Sequence, residues 1–194
     1  MKVMLIRHAE SYANINNDLY SQVPDHEIDI TPKGVEQAND FCLDYSLKSY
    51  DRILVLCSPY KRTIKTRDII IEPLKDSYNI TSRIEPLLHE RLLASNYDEL
   101  AEVNKHYYRE KSFGLWWYKD GGVESYNDVY QRALLFKQEL NSIKQSQKYD
   151  QVIIISHCVF LSMLRCIIEG NTDIDHMSRI PHFTSNCSSF DCEL

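Results

Sequence analysis

Two histidines and two arginines follow directly on, or lie within a turn of, short aliphatic runs. Val3-Met4-Leu5-Ile6 leads into Arg7-His8-Ala9-Glu10-Ser11. Ile53-Leu54-Val55-Leu56 leads into Cys57-Ser58-Pro59, and Arg62 comes just after. Val152-Ile153-Ile154-Ile155 leads into Ser156-His157. Continuous aliphatic runs of this length are strands buried on both faces. In open α/β sheets ligands bind outside the carboxyl ends of the strands, so His8, Arg7, Arg62 and His157 converge on one edge. Arginine presents a planar fork of donors matched to phosphate oxygens. A helix starting beside Pro59 adds its N–H groups and positive dipole end there. Cationic forks, imidazoles and a helix end make an anion site, best suited to a phosphoryl group.

The elements that must hold these residues are legible as alternating strands and helices. Thr31 as N-cap and Pro32 at the first helical position predict a helix over 32–47. Ser58-Pro59 repeats that start signal for a helix over about 59–75. Residues 80–84 read as a further strand. Ser125 with Asp128 opens a helix in capping-box style, and Val129, Ala133, Phe136, Leu140 and Ile143 fall on one helical face. Residues 158–169 form an almost wholly apolar helix. The fold class is therefore α/β: a three-layer α/β/α sandwich around a mostly parallel central sheet. Residues 91–123 have no clear period and many aromatics, and read as a lid insertion over the strand carboxyl ends within one domain spanning 1–194.

Composition narrows the function. Lysine and arginine number 22 against 28 aspartates and glutamates, a net charge of −6, which argues against nucleic-acid binding. The glycines are Gly34, Gly114, Gly121, Gly122 and Gly170, too few and wrongly spaced for a Walker A loop or a G-x-G-x-x-G turn. That disfavours a nucleotide-dependent kinase. The cysteines form no C-x-x-C pair and read as free thiols in a reducing compartment. Met1-Lys2 runs straight into a strand, and no apolar stretch approaches membrane-spanning length. A cytoplasmic protein with no membrane association is expected. No D-x-D or H-x-x-x-H cluster suggests a metal, and nothing calls for a cofactor.

The motifs together resemble the histidine phosphatase superfamily, the phosphoglycerate-mutase-like fold (branch 1). Arg7-His8-Ala9-Glu10-Ser11-Tyr12-Ala13-Asn14 resembles its R-H-G-x-S-x-x-N signature. Ile30-Thr31-Pro32-Lys33-Gly34 with Gln37-Ala38, Ser58-Pro59-Tyr60-Lys61-Arg62-Thr63 with Thr66, Leu88-His89-Glu90, Gly122-Val123-Glu124-Ser125, Ser156-His157 and a final strand at Asn186-Cys187-Ser188 follow in the family's order. Ala9 replaces the commoner glycine, and Leu92-Leu93-Ala94-Ser95 lacks the glycine that often follows the acid. His157-Cys158 does not match the His-Asp of the secreted acid-phosphatase branch.

The resemblance implies a metal-independent phosphomonoesterase acting on a small-molecule phosphate ester. His8 would be the nucleophile, forming a phosphohistidine. Arg7, Arg62 and His157 would hold the phosphoryl oxygens, and Glu90 would protonate the leaving oxygen. Ser11 and Asn14 would be phosphate donors, and Glu124 and Ser125 helix-start residues. In the insertion, Arg91, Lys105, Arg109, Lys111 and Lys119 balance Asp98, Glu99, Glu102, Glu110 and Asp120. A neutral lid offers no evident second anion site. Its rings, Trp116 and Trp117 among them, suggest walls for a planar or apolar group, or packing of the lid onto the sheet. A phosphoglycerate-type mutase and a non-catalytic phospho-ligand-binding member are the alternatives.

Overall fold

The structure is a computed structural model that describes residues 1–41, 52–92, 114–117, 124–171, 173 and 185–194. Five strands form one sheet in the order β3-β2-β4-β1-β5. They are β1 (Lys2–Arg7), β2 (Arg52–Cys57), β3 (Asn79–Ile84), β4 (Gln151–Ser156) and β5 (Ser189–Glu193). β1 pairs with β4, β4 with β2 and β2 with β3, all parallel, while β5 closes the β1 edge antiparallel. The register sets Arg7 beside Ser156, and Cys57 opposite both Ile155 and Ile84. Strand ends that carry chemistry are thereby aligned.

Successive residues of the central strands serve opposite cores, which is why the runs are aliphatic without alternation. Val3, Leu5, Leu54, Leu56, Val152 and Ile154 face one cluster; Met4, Ile6, Ile53, Val55, Ile153 and Ile155 face the other. The helices are α1 (Tyr12–Ile15), α2 (Pro32–Asp40), α3 (Lys61–Ile71), α4 (Gly114–Trp117), α5 (Tyr126–Ser146) and α6 (Cys158–Ile168). Val129, Ala133, Phe136 and Leu140 of α5 and Phe160, Leu161 and Leu164 of α6 fill the first cluster. Ala38 of α2 and Ile70 and Ile71 of α3 fill the second. This is the expected three-layer arrangement.

Local signals set the helix starts. Thr31 Oγ1 accepts from the Gly34 N–H at 3.0 Å, and Pro32 occupies the first turn of α2. The Ser125–Asp128 capping box opens α5. Three boundaries differ from the sequence expectation. The helix expected over 32–47 ends at Asp40, and Phe41 after it is extended. The helix expected over 59–75 runs only from Lys61 to Ile71 and passes into a 3-10 turn, Glu72–Leu74. Pro73 is the reason: it has no N–H to donate and its ring clashes with the carbonyl one turn back. The strand expected at Asn186-Cys187-Ser188 begins three residues later, at Ser189. Cys187 there adopts φ 55°, a turn conformation that no strand contains. Residues 42–47 of the expected 32–47 helix lie outside the described residues. So does most of the expected 91–123 insertion, of which Arg91, Leu92 and 114–117 are described. No helix among the described residues is long and apolar enough to cross a membrane.

Candidate active site

His8 is buried at the carboxyl end of β1. Its N–H donates to the Ser156 carbonyl at 3.0 Å, tying β1 to β4 at their chemical ends. Its ring Nδ1 lies 2.7 Å from the Ala9 carbonyl. A carbonyl only accepts, so Nδ1 carries the proton and Nε2 keeps its lone pair. The Ala9 N–H donates to Thr66 Oγ1 at 3.0 Å, and that hydroxyl donates to the Arg62 carbonyl at 2.7 Å. From the other side, the Cys187 N–H and Asn186 Nδ2 both donate to the His8 carbonyl at 3.2 Å.

His157, fully buried at the end of β4, meets His8 edge to face with ring centroids 5.1 Å apart. Its Nε2 lies 2.8 Å from Ser58 Oγ, at the end of β2. Its Nδ1 has no hydrogen-bond partner among the described residues. Burial and then the Arg62 charge hold both imidazoles well below their ordinary pKa; Arg7 adds to the effect at His8, and His8 at His157. Both rings are thus neutral at pH 7. If Ser58 donates to Nε2, the single proton of His157 sits on the buried Nδ1, as a donor.

Arg62 is buried in the first turn of α3. Its Nη1 donates to the Asp25 carbonyl at 2.7 Å and to Asp25 Oδ1 at 2.8 Å, and its guanidinium lies 4.9 Å from the Tyr60 ring centroid. Glu90 follows the turn after β3. Its Oε1 accepts from the Arg91 N–H at 2.8 Å and Oε2 from the Val159 N–H at 3.4 Å. Burial is the largest influence on Glu90 and raises its pKa above the ordinary carboxylate value, against the pull of the Arg91 N–H and the Arg62 charge. A half-buried carboxyl that holds its proton more tightly than usual, in a protein that also carries two neutral imidazoles and a buried guanidinium, belongs to a set suited to phosphoryl transfer with acid assistance.

The remaining expected residues have different surroundings. Ser11 is buried, and both its N–H and its hydroxyl donate to Asn14 Oδ1, at 2.9 and 3.0 Å. Asn186 Nδ2 donates to the same oxygen at 3.0 Å. With Oδ1 pinned by three donors, Asn14 has its amide Nδ2 to offer an anion, whereas the Ser11 hydroxyl is spent within the loop. Trp116 is 2% exposed, packs in the α5–α6 core and lies 5.5 Å from the Tyr130 ring. That corrects its expected place in a substrate wall: an indole this deeply packed serves the core. Trp117 is 62% exposed.

Several site neighbours carried no sequence signal of their own. Asp25 stands in a 3-10 turn, far along the chain from Arg62. The Tyr20 phenol is pushed up to about 12, chiefly by burial and then by Asp25. Tyr60 lies 4.9 Å from His157, and His89 stacks on it at 6.5 Å. Ser58 and Thr66 fell within motifs, but their partners emerged only from the fold. Among the described residues, no group of three or more His, Cys, Asp or Glu is placed to hold a metal ion.

Comparison with known proteins identifies the family and the fold. The family model for the histidine phosphatase superfamily (branch 1) matches residues 3–193. Two proteins of Arabidopsis thaliana are similar in sequence. Phosphoglycerate mutase-like protein AT74 is 28% identical over 146 residues, which is 72% of this chain and 46% of that protein. Phosphoglycerate mutase-like protein AT74H is 29% identical over 150 residues, 72% of this chain and 53% of that one. The chain thus spans about half the length of the curated relatives it matches. Among solved structures, the alpha-ribazole phosphatase of Shigella flexneri superposes with TM-score 0.75 at 23% identity, covering 100% of this chain and 91% of that one. A mycobacterial glucosyl-3-phosphoglycerate phosphatase, solved with VO3, superposes with TM-score 0.72 at 16% identity, covering 98% and 90%. At these identities the structures speak to the fold.

Proposed function

The chain belongs to the histidine phosphatase superfamily, branch 1, and on that premise we propose that it is a metal-independent phosphatase of small phosphate monoesters, working through a phosphohistidine. The observation that carries the reading is the pair of buried, neutral imidazoles at 5.1 Å, flanked by buried Arg62. With Nδ1 of His8 donating to the Ala9 carbonyl, the Nε2 lone pair is the nucleophile. It attacks phosphorus in line; the N–P bond forms as the bond to the ester oxygen breaks. The departing oxygen takes the Glu90 proton. Arg7, Arg62 and the His157 Nδ1–H stabilise the charge spread over the equatorial oxygens. In the second half, water attacks the phosphohistidine and gives its proton to the Glu90 carboxylate. The N–P bond then breaks, returning its electron pair to Nε2 and releasing phosphate.

Positive side chains do here what a metal ion does elsewhere, so the reaction is complete without one. The substrate is an ester with one phosphate and a planar or apolar remainder. The buried position of Trp116 removes one ring from that argument, while exposed Trp117 and the Tyr60 ring beside His157 support it. Rapid quench with labelled p-nitrophenyl phosphate is the test. An acid-labile, alkali-stable adduct on His8, absent in His8→Ala, is expected. An adduct on serine or cysteine, or full turnover by His8→Ala, would overturn the mechanism. Net phosphoryl movement between the oxygens of phosphoglycerate, faster than phosphate release, would make the protein a mutase instead.

A further inference from the structure

We propose that Arg132, held by Glu124, is a positioning residue for the proton donor: it locks the backbone that carries Glu90. The inference rests on the reading of Glu90 as the acid that protonates the leaving group. Arg132 is 8% exposed, on the second turn of α5, and does not reach the imidazoles through any hydrogen bond among the described residues. Its fork is spent on one stretch of chain. Nη1 donates to the Leu87 carbonyl at 2.7 Å and the His89 carbonyl at 2.8 Å. Nη2 donates to the Glu90 carbonyl at 3.4 Å. Three carbonyls within four residues converge on one guanidinium, and beyond the short 3-10 turn Pro86–Leu88 this stretch lies in no helix or strand.

The guanidinium is itself fixed. Nε and Nη2 donate to the two carboxylate oxygens of Glu124, at 3.1 and 2.8 Å, and the cation lies 4.9 Å from the Phe160 ring centroid. Glu124 binds the far side of the same stretch. Its N–H donates to the Leu92 carbonyl at 2.8 Å, its Oε2 accepts from the Leu92 N–H at 2.9 Å, and its carbonyl accepts from Arg91 Nε at 2.7 Å. Chain positions 87 to 92 are therefore bound to the start of α5 on both sides of Glu90. A buried ion pair costs desolvation, and a hydrophobic pair of similar size is often as stable. Its geometry here, bidentate toward Glu124 and spread over successive carbonyls, fits placement of a backbone better than stability alone. Proton transfer demands a donor within hydrogen-bond reach of the leaving oxygen, so a shift of about 1 Å in this stretch matters more to acid assistance than to phosphate binding.

The experiment compares kcat/KM on p-nitrophenyl phosphate, whose leaving group needs little protonation, with that on β-glycerol phosphate, whose leaving group needs much. Wild type, Glu90→Gln, Arg132→Lys, Arg132→Gln and Glu124→Gln are measured alongside thermal melts. Glu90→Gln should lose on the order of 100-fold on the alkyl ester and far less on the aryl ester. Arg132→Gln should show the same selective loss at roughly tenfold or more, and Arg132→Lys a smaller one, since it keeps charge without the fork. If Arg132→Gln does not fold, Glu124→Gln carries the test, because it removes one oxygen's charge and leaves the arginine in place. Equal losses on both esters in the Arg132 and Glu124 variants, with selective loss in Glu90→Gln, would overturn this proposal alone. No selectivity in Glu90→Gln would overturn the role of Glu90 itself.

Discussion

His8 is buried and Glu90 half-buried, each in a state that water would not favour, and the two work in opposite directions with pH. Burial lowers the His8 pKa, so the nucleophile is lost only when pH falls through that depressed value. Burial raises the Glu90 pKa, so the donor is lost when pH rises through its elevated value. A bell-shaped kcat profile is expected, and Glu90→Gln should remove its alkaline limb while leaving the acid limb to His8. Stability should respond too. The folded Glu90 pKa lies above the unfolded one, so the native state binds more protons between the two values and loses stability as pH rises through that window. Glu90→Gln should therefore melt at a higher temperature than wild type at pH 7, with the advantage vanishing below pH about 4, where Glu90 is protonated in the folded and the unfolded state alike. A variant that melts lower at pH 7 would mean that the hydrogen bonds from Arg91 and Val159 outweigh desolvation. The sequence named His8, Glu90 and His157, because strand ends and motif order mark them. It could not pair Asp25 with Arg62 or Ser58 with His157. Pairings separated by 37 and 99 residues exist only once the sheet brings the strand ends together.

The loop that follows His8 is pressed against α2 at one point, and the close contact falls on a glycine. A Cβ placed on Gly34 would sit 2.2 Å from the Glu10 carbonyl oxygen, a backbone atom that cannot swing aside. The same carbonyl accepts from the Thr31 N–H at 2.9 Å, and the Glu10 N–H donates to Gln37 Oε1 at 2.9 Å. Gly34 thus permits the helix to dock where it holds the chain two residues beyond the nucleophile. Gly34→Ala should destabilise the fold by about 1–3 kcal/mol, as overpacking does, against the modest gain alanine brings inside a helix. It should also lower kcat by displacing His8. Urea unfolding and steady-state rates check both; unchanged stability would show that the loop yields without strain. Start signals at this scale were local and legible: Thr31, Pro32 and the Ser125–Asp128 box opened helices where they stand. Stop signals were less so. The apolar period of α3 continues past Ile71, and only Pro73 ends it. Asn186 to Ser188 reads as strand from its motif, yet Cys187 takes a left-handed turn that the side chain does not announce.

At the scale of the whole molecule, the protein is net acidic but gathers two guanidiniums and a neutral imidazole donor at one edge of the sheet. Arg7 leaves β1, Arg62 opens α3 after β2, and His157 closes β4. No two of these belong to the same strand, so the anion site exists only in the assembled native state, and the unfolded chain has nothing equivalent. An oxyanion that occupies the site must then stabilise the fold by mass action, by about 2.7 kcal/mol at a concentration 100 times its Kd. Vanadate is the sharper probe, because it becomes five-coordinate on a nucleophile and draws on the same equatorial donors as the transition state. It should raise Tm in the presence of chelator, in proportion to the logarithm of its concentration, and inhibit turnover over the same range. Phosphate should act likewise and more weakly. Arg62→Ala should abolish the shift, and His8→Ala should weaken the vanadate response until it resembles that of phosphate. A shift that needs added magnesium or zinc would mean that a metal ion completes the charge. A shift retained in Arg62→Ala would mean that the anion binds elsewhere than the strand ends.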